Sequence, residues 1–179
     1  IYIEIILSSK LDKKIINIPV VVVGAGIAGL CTSYYLSKNK INHFIIERGE
    51  VGNTWIKERW DNFFLVNPNW AIKIPEFGFG TKFFPEKNPD GFLSKMQTVD
   101  LLKSYSKYIG AKIYENESVN SIESLGNKYK LTTSKRVVFS DNIVLSTGAF
   151  GNPSIPRMSS KINKNILQIH SAEYKNFKH

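Results

Sequence analysis

Val20-Val21-Val22-Val23-Gly24-Ala25-Gly26-Ile27-Ala28-Gly29-Leu30 is the stretch that decides the fold. Four β-branched residues in a row predict a strand buried on both faces, because a strand with one wet face alternates apolar and polar positions. The glycines follow at once as G-x-G-x-x-G. A helical segment then runs to about Lys38, with Ile27, Leu30, Tyr34 and Leu36 apolar, until Asn39-Lys40 breaks it. His43-Phe44-Ile45-Ile46-Glu47 predicts a second strand ending in an acid. This strand–helix–strand unit takes about 28 residues, close to the least that can bring a chain back for parallel pairing.

Each glycine has its own physical reason in such a turn. Gly24 permits the tight bend, Gly26 lets a diphosphate approach the backbone, and Gly29 lets the helix lie close on the sheet. The candidate phosphate cradle is therefore Gly24, Ala25, Gly26, Ile27, Ala28 and Gly29. The N–H groups of Ile27 to Leu30 and the helix dipole face the phosphate. Glu47 lies 18 positions after Gly29, where a carboxylate accepts the ribose hydroxyls of an adenosine. It also repels a 2′-phosphate, which excludes NADP and leaves NAD or FAD.

Residues 1–17 show no clear period and read as a tail. Residues 49–92 are rich in Gly, Pro, Asn and aromatics, too long for a structureless loop, so short helices or a binding role are expected there. Thr98 to Tyr108 predicts a helix and Ala111 to Glu115 a strand. Tyr129–Thr133 and Arg136–Phe139 predict a hairpin, and Asn142 to Ser146 another buried strand. After it, Pro153 and Pro156 point to an extended crossover. Trp60 and Trp70 read as core anchors, and Trp55 fits either packing or cofactor contact. Arg59, with aromatics and Asp61 around it, reads as structural or cofactor-facing.

The bulk composition is that of an ordinary globular chain, with 179 residues, 42% hydrophobic and 22% charged. No stretch approaches the roughly 20 apolar residues that span a bilayer, so no membrane partner is expected. The formal net charge is +9, but almost all of it is scattered Lys rather than the Arg forks that read phosphates and bases, so no nucleic-acid partner is expected. Cys31 is the sole cysteine. It excludes an intrachain disulfide, suits a reducing, cytoplasmic setting and reads as a packed thiol. The chain begins at Ile1 and its only methionines are Met96 and Met158, so a fragment is expected. No metal-ligand spacing, nucleophile elbow or paired carboxylate stands out.

Val21–Leu30, Ile46-Glu47-Arg48-Gly49, Gly52-Asn53-Thr54-Trp55 and Arg59-Trp60-Asp61 carry a wider similarity. It continues through Leu65–Trp70, Asn88–Phe92, Leu145-Ser146-Thr147-Gly148, Pro153–Pro156 and Gln168–Tyr174. In this order they resemble the flavin-containing monooxygenases, and among them bacterial monooxygenase-like proteins often labelled potassium-transport flavoproteins. The resemblance covers about residues 20–178.

It implies that the first glycine motif holds FAD, with Gly24, Gly26 and Gly29 at the diphosphate and Glu47, next to Arg48, at the ribose. Gly52 belongs to the cofactor-binding set, Thr54 and Trp55 would lie along the flavin side, the Val119 backbone would reach the adenine, and Thr147 and Gly148 would pass close to the cofactor. Asn67 resembles an asparagine beside the flavin and is the candidate catalytic residue. His170 sits in a partial form of the segment that joins two nucleotide domains, which implies a hinge or packing role rather than a general base.

The implied fold is α/β, an FAD-type Rossmann parallel sheet with a small antiparallel β-meander over it. The implied organisation is a tail over 1–17, the N-terminal part of an FAD-binding domain over 18–152, and a crossover over 153–179. That crossover leads toward an NADPH-binding domain missing from this chain. The implied reaction takes electrons from NADPH through FAD and places one oxygen of O2 on a small N-, S- or carbonyl-containing substrate. FAD–NADPH oxidoreduction without oxygen transfer, and a non-catalytic nucleotide-binding remnant, are the alternatives. The chain by itself is expected to be inactive.

Overall fold

The Val20–Val23 run forms the middle of the sheet, and everything else is arranged around it. A computed structural model describes residues 13–149, 151 and 153–178. The strands are β1 (Lys14–Val23), β2 (His43–Ile46), β3 (Ile113–Tyr114), β4 (Val119–Ser124), β5 (Tyr129–Thr133) and β6 (Arg136–Leu145). The helices are α1 (Ile27–Lys38), α2 (Asn53–Glu58) and α3 (Lys95–Tyr108), with 3₁₀ turns at Asn69–Ala71 and Arg157–Lys161.

One six-stranded sheet has the order β3-β2-β1-β6-β5-β4. β1 pairs parallel with β2 and β6, and β2 with β3. β5 pairs antiparallel with β6 and β4. The parallel half is thus a dinucleotide-type sheet with the glycine turn at the C-terminal end of its central strand.

Alternation assigns the two faces. Val22 and Ile45 join Leu30, Leu101, Leu102 and Tyr105 in the core beneath α1 and α3. Val21, Val23, Phe44 and Ile46 join Leu131 and Val138 on the other face. Val21 and Val22 are fully buried, and each such side chain contributes about 1.5–3 kcal/mol.

The tail expected over residues 1–17 is corrected by the structure at its C-terminal end. Lys14 to Ile18 form the first half of β1, in register with Arg136 to Ser140. Ile16 and Ile18 face the second core cluster while Ile15 is 65% exposed. Residues 1–12 of that tail lie outside the described residues. The two strands expected at 136–139 and 142–146 are one strand, so the meander joins the parallel sheet through β6 and continues it edgewise instead of lying over it. Both long strands switch the side they present to the second cluster midway, from Ile18 to Val21 and from Val138 to Ile143. Buried Ser140 marks the switch, its hydroxyl lying 2.7 Å from the Asn142 carbonyl and 3.2 Å from that of Pro19.

α3 starts earlier than its apolar period implied. Ser94 and Gln97 form a reciprocal capping box, so the polar first turn is fixed by hydrogen bonds instead of packing. β4 gives no alternation to read because nearly all of it is exposed. Trp70 is not a core anchor: it is 53% exposed, whereas its neighbour Asn69 is fully buried. The 3₁₀ turn puts Asn69 inward, where its N–H donates to the Gly91 carbonyl (2.8 Å) and its side-chain amide to that of Asn88 (2.9 Å). An asparagine in a Gly/Pro-rich loop can satisfy such backbone groups, and that was the available signal for it.

Candidate dinucleotide site

The site lies at the C-terminal edge of β1, β2 and β6. Gly24 has φ +105, and a Cβ there would meet the Ser146 carbonyl oxygen at 2.4 Å. Its N–H donates to the Ile46 carbonyl (2.8 Å), and the Ser146 N–H to that of Val23 (2.8 Å). A Cβ on Gly29 would come 1.9 Å from the Gly24 carbonyl oxygen, so the helix touches the turn backbone to backbone. At Gly26 the outcome is the opposite, because an added Cβ meets no atom within 4 Å. Gly24 and Gly29 are required by the chain's own packing, while the bareness of Gly26 serves nothing inside the protein.

Gly26 is the N-cap of α1, and it supplies no side-chain cap; the first turn carries no acid. The helix thus presents its positive end with no capping side chain or acid of its own. Leu30 drops out of the expected donor set, since its N–H is used by the Gly26 carbonyl (3.0 Å). Ile27, Ala28 and Gly29 remain. The Ala25 N–H is also used, by Glu47 Oε2 (2.8 Å), while Glu47 Oε1 accepts from the Gly49 N–H (2.9 Å). The Ala25 N–H thereby orients the acid. A carboxylate has about four acceptor sites, so this tethered Glu47 keeps capacity for a diol.

Beside α1 opens a cavity of about 610 Å3 whose lining includes Ile27, Trp55, Trp60, Asn67, Leu101 and Ser171. Its wall is an aromatic box. The Arg59 guanidinium lies over the rings of Trp55 (5.3 Å) and Phe63 (5.4 Å), and Trp60 packs edge-on to Phe63 (4.7 Å). Arg59 thus packs on two aromatic rings and lines the cavity. Asn67 is exposed at the cavity.

Of the remaining expected residues, Gly52 has φ +82 and caps α2 against Val99, a structural position. Thr54 is half-buried on α2 and is not among the cavity's lining residues. Arg48 is ion-paired to Glu58. Thr147 and Gly148 stand exposed just past β6, beside the glycine turn, and Val119 begins β4. Cys31 is half-buried against the first core cluster, and burial pushes its thiol up against a smaller opposing contribution from Tyr105; a thiol so placed is a poor nucleophile. His170 is half-buried and accepts the Ala172 N–H at Nδ1 (3.1 Å). Among the described residues no group of His, Cys, Asp or Glu could hold a metal ion, and no helix is long and apolar enough to cross a membrane.

Known proteins resemble this chain in sequence and fold. The chain is 34% identical over 159 residues to the "Uncharacterized oxidoreductase CzcO" of Bacillus subtilis, covering 88% of this chain and 44% of that protein. It is 28% identical to the "Probable indole-3-pyruvate monooxygenase YUCCA10" of Arabidopsis thaliana, covering 87% and 42%. The chain therefore spans less than half the length of the curated relatives it matches. In fold it resembles a flavin monooxygenase from Stenotrophomonas maltophilia (TM-score 0.74, 20% identity, 89% of this chain and 46% of that one). It also resembles the bacillithiol disulfide reductase of Bacillus cereus (TM-score 0.69, 20% identity, 79% and 43%). With a family model matched over residues 21–179, the chain belongs to the pyridine nucleotide-disulphide oxidoreductase family.

Proposed function

We propose that this chain is the FAD-binding portion of an NADPH-dependent flavoprotein monooxygenase. The observation that carries the reading is the contrast among the three glycines. Two are filled by the protein's own backbone, and the third, Gly26, faces open space at an uncapped helix N-terminus. Next to it stands an acid held by two backbone N–H groups. An anionic diphosphate joined to a ribose suits that arrangement, and a 2′-phosphate would meet the Glu47 charge.

The N–H groups of Ile27, Ala28 and Gly29 would hold the diphosphate, Glu47 the ribose, and the Val119 backbone the adenine. Thr147 and Gly148 would flank the cofactor. The aromatic cavity at Trp55, Arg59 and Asn67 suits a flat heteroaromatic ring. When bound, the flavin supplies redox chemistry between NADPH, O2 and a small N-, S- or carbonyl-containing substrate. Asn67, exposed at the cavity, would orient a reactant there. NADPH itself would bind outside this chain, which holds a single G-x-G-x-x-G.

The test has two parts. Titration of the purified chain should give saturable binding of FAD and none of NADP; no FAD binding would refute the assignment. With FAD saturating, NADPH oxidation under air should stay below about 1 per second, the low end of enzyme rates. In a chain extended to the length of its relatives, oxygen appearing in product separates a monooxygenase from a plain oxidoreductase.

A further inference from the structure

The connection between β3 and β4 contains a carboxylate with no part in the site so far described. Glu117 is 1% exposed. Its Oε1 accepts from the Thr133 hydroxyl (2.5 Å) and lies 2.8 Å from Arg136 Nε in an ion pair. The Arg136 guanidinium in turn stacks on the Tyr114 ring at 3.6 Å. A buried pair of this kind adds little net stability, because desolvation offsets the attraction, but removing one partner leaves the other's charge uncompensated.

The segment around Glu117 holds the turn of the ribose acid. The Glu117 N–H donates to the Glu47 carbonyl (2.9 Å) and the Asn116 N–H to that of Gly49 (2.8 Å). Glu115 Oε1 accepts from the Val51 N–H (2.8 Å). Three bonds thus stitch residues 115–117 to 47–51, the turn that carries Glu47. The Glu47 carboxylate then reaches the glycine turn through Ala25. A continuous path runs from the β5–β6 hairpin through Arg136, Glu117 and Glu47 to the phosphate cradle.

We infer that Glu117, anchored by Arg136 and Thr133, is a positioning residue that sets the Glu47 carboxylate and so makes the site select a dinucleotide flavin over a mononucleotide one. The inference rests on the FAD reading above. FMN lacks the adenosine that Glu47 would hold, so a defect in this path shows with FAD and not with FMN.

The test is a double-mutant cycle on the full 179-residue chain, read by equilibrium titration with FAD and with FMN. Glu117→Gln should weaken FAD binding about ten-fold, within the coupling range of contacting residues. It should leave FMN binding unchanged and have no further effect in a Glu47→Ala background. If the wild-type chain binds no FAD, the parent reading fails and takes this one with it. If the wild type binds FAD but Glu117→Gln weakens FAD and FMN alike, or adds its full effect to Glu47→Ala, Glu117 is only structural and the inference is overturned. Should Glu117→Gln fail to fold, pairing it with Arg136→Met removes both buried charges together. Folding should return while the FAD defect persists; recovery of both would likewise overturn the inference.

Discussion

A single methyl group placed at Gly26 or at Gly29 separates binding from folding in this site. At Gly26 the backbone is extended (φ −76, ψ −175), so Ala adopts it without strain, and the added Cβ meets no protein atom within 4 Å. The folding cost is then the difference between Gly and Ala at an N-cap, about 1 kcal/mol or less. At Gly29 the helical propensity of Ala would contribute up to about 1 kcal/mol, but its Cβ would stand 1.9 Å from the Gly24 carbonyl oxygen. That oxygen belongs to the backbone of a turn already tied to Ile46 and cannot rotate away. Overpacking costs about 1–3 kcal/mol or more, so Gly29→Ala should be destabilised by about 2 kcal/mol. For a domain of this size that lowers Tm by about 4–8 °C. Gly26→Ala should melt within about 2–4 °C of the wild type and yet lose affinity for FAD by about ten- to a hundred-fold, as expected when a charged group loses its hydrogen bonds. Thermal unfolding by circular dichroism and FAD titration measure the two effects. A Gly26→Ala variant that binds FAD like the wild type, or that melts as early as Gly29→Ala, refutes the division of roles between the glycines.

Glu47→Ala should weaken FAD by about ten- to a hundred-fold through loss of a charge-assisted bond, measured in the same titration; unchanged affinity would remove Glu47 from the site. Ser94→Ala should cost about 1 kcal/mol by opening the capping box of α3, read as a lowered Tm with FAD affinity unaltered. The hydroxyls of Tyr108 and Tyr34 hold the Glu76 carboxyl below its usual range. Its stabilising contribution is therefore complete above the unfolded carboxylate value and is lost as pH falls through the lowered folded one. Glu76→Gln should abolish that acid-side component, and urea titrations of both proteins across acidic pH test it; an unchanged difference between them at every pH counts against it. In a chain extended to the length of its relatives, His170→Gln should disturb NADPH coupling more than FAD content. A limb of the pH–rate profile that vanishes with the mutation would instead make His170 a proton-transfer group.

The amino-acid sequence by itself determined the β1–α1–β2 unit and the close packing at two of its glycines, Gly24 and Gly29. Those depend on residues a few positions apart, and β-branching, backbone freedom and helix period act at that range. It also located Glu47 and the aromatic run that becomes the cavity wall. Only the tertiary structure decided that Lys14 to Ile18 extend β1, because their partners, Arg136 to Ser140, lie more than a hundred positions away. It decided likewise that Ala25 serves Glu47, that Trp70 is exposed and Asn69 buried, and that Glu117 is buried. In the sequence Glu117 looks like any surface acid between polar neighbours. Its burial follows from a side-chain donor 16 positions on and a guanidinium 19 positions on, brought together by a hairpin. No local pattern encodes the environment of a charge whose partners arrive from other strands, and that environment is what fixes its role.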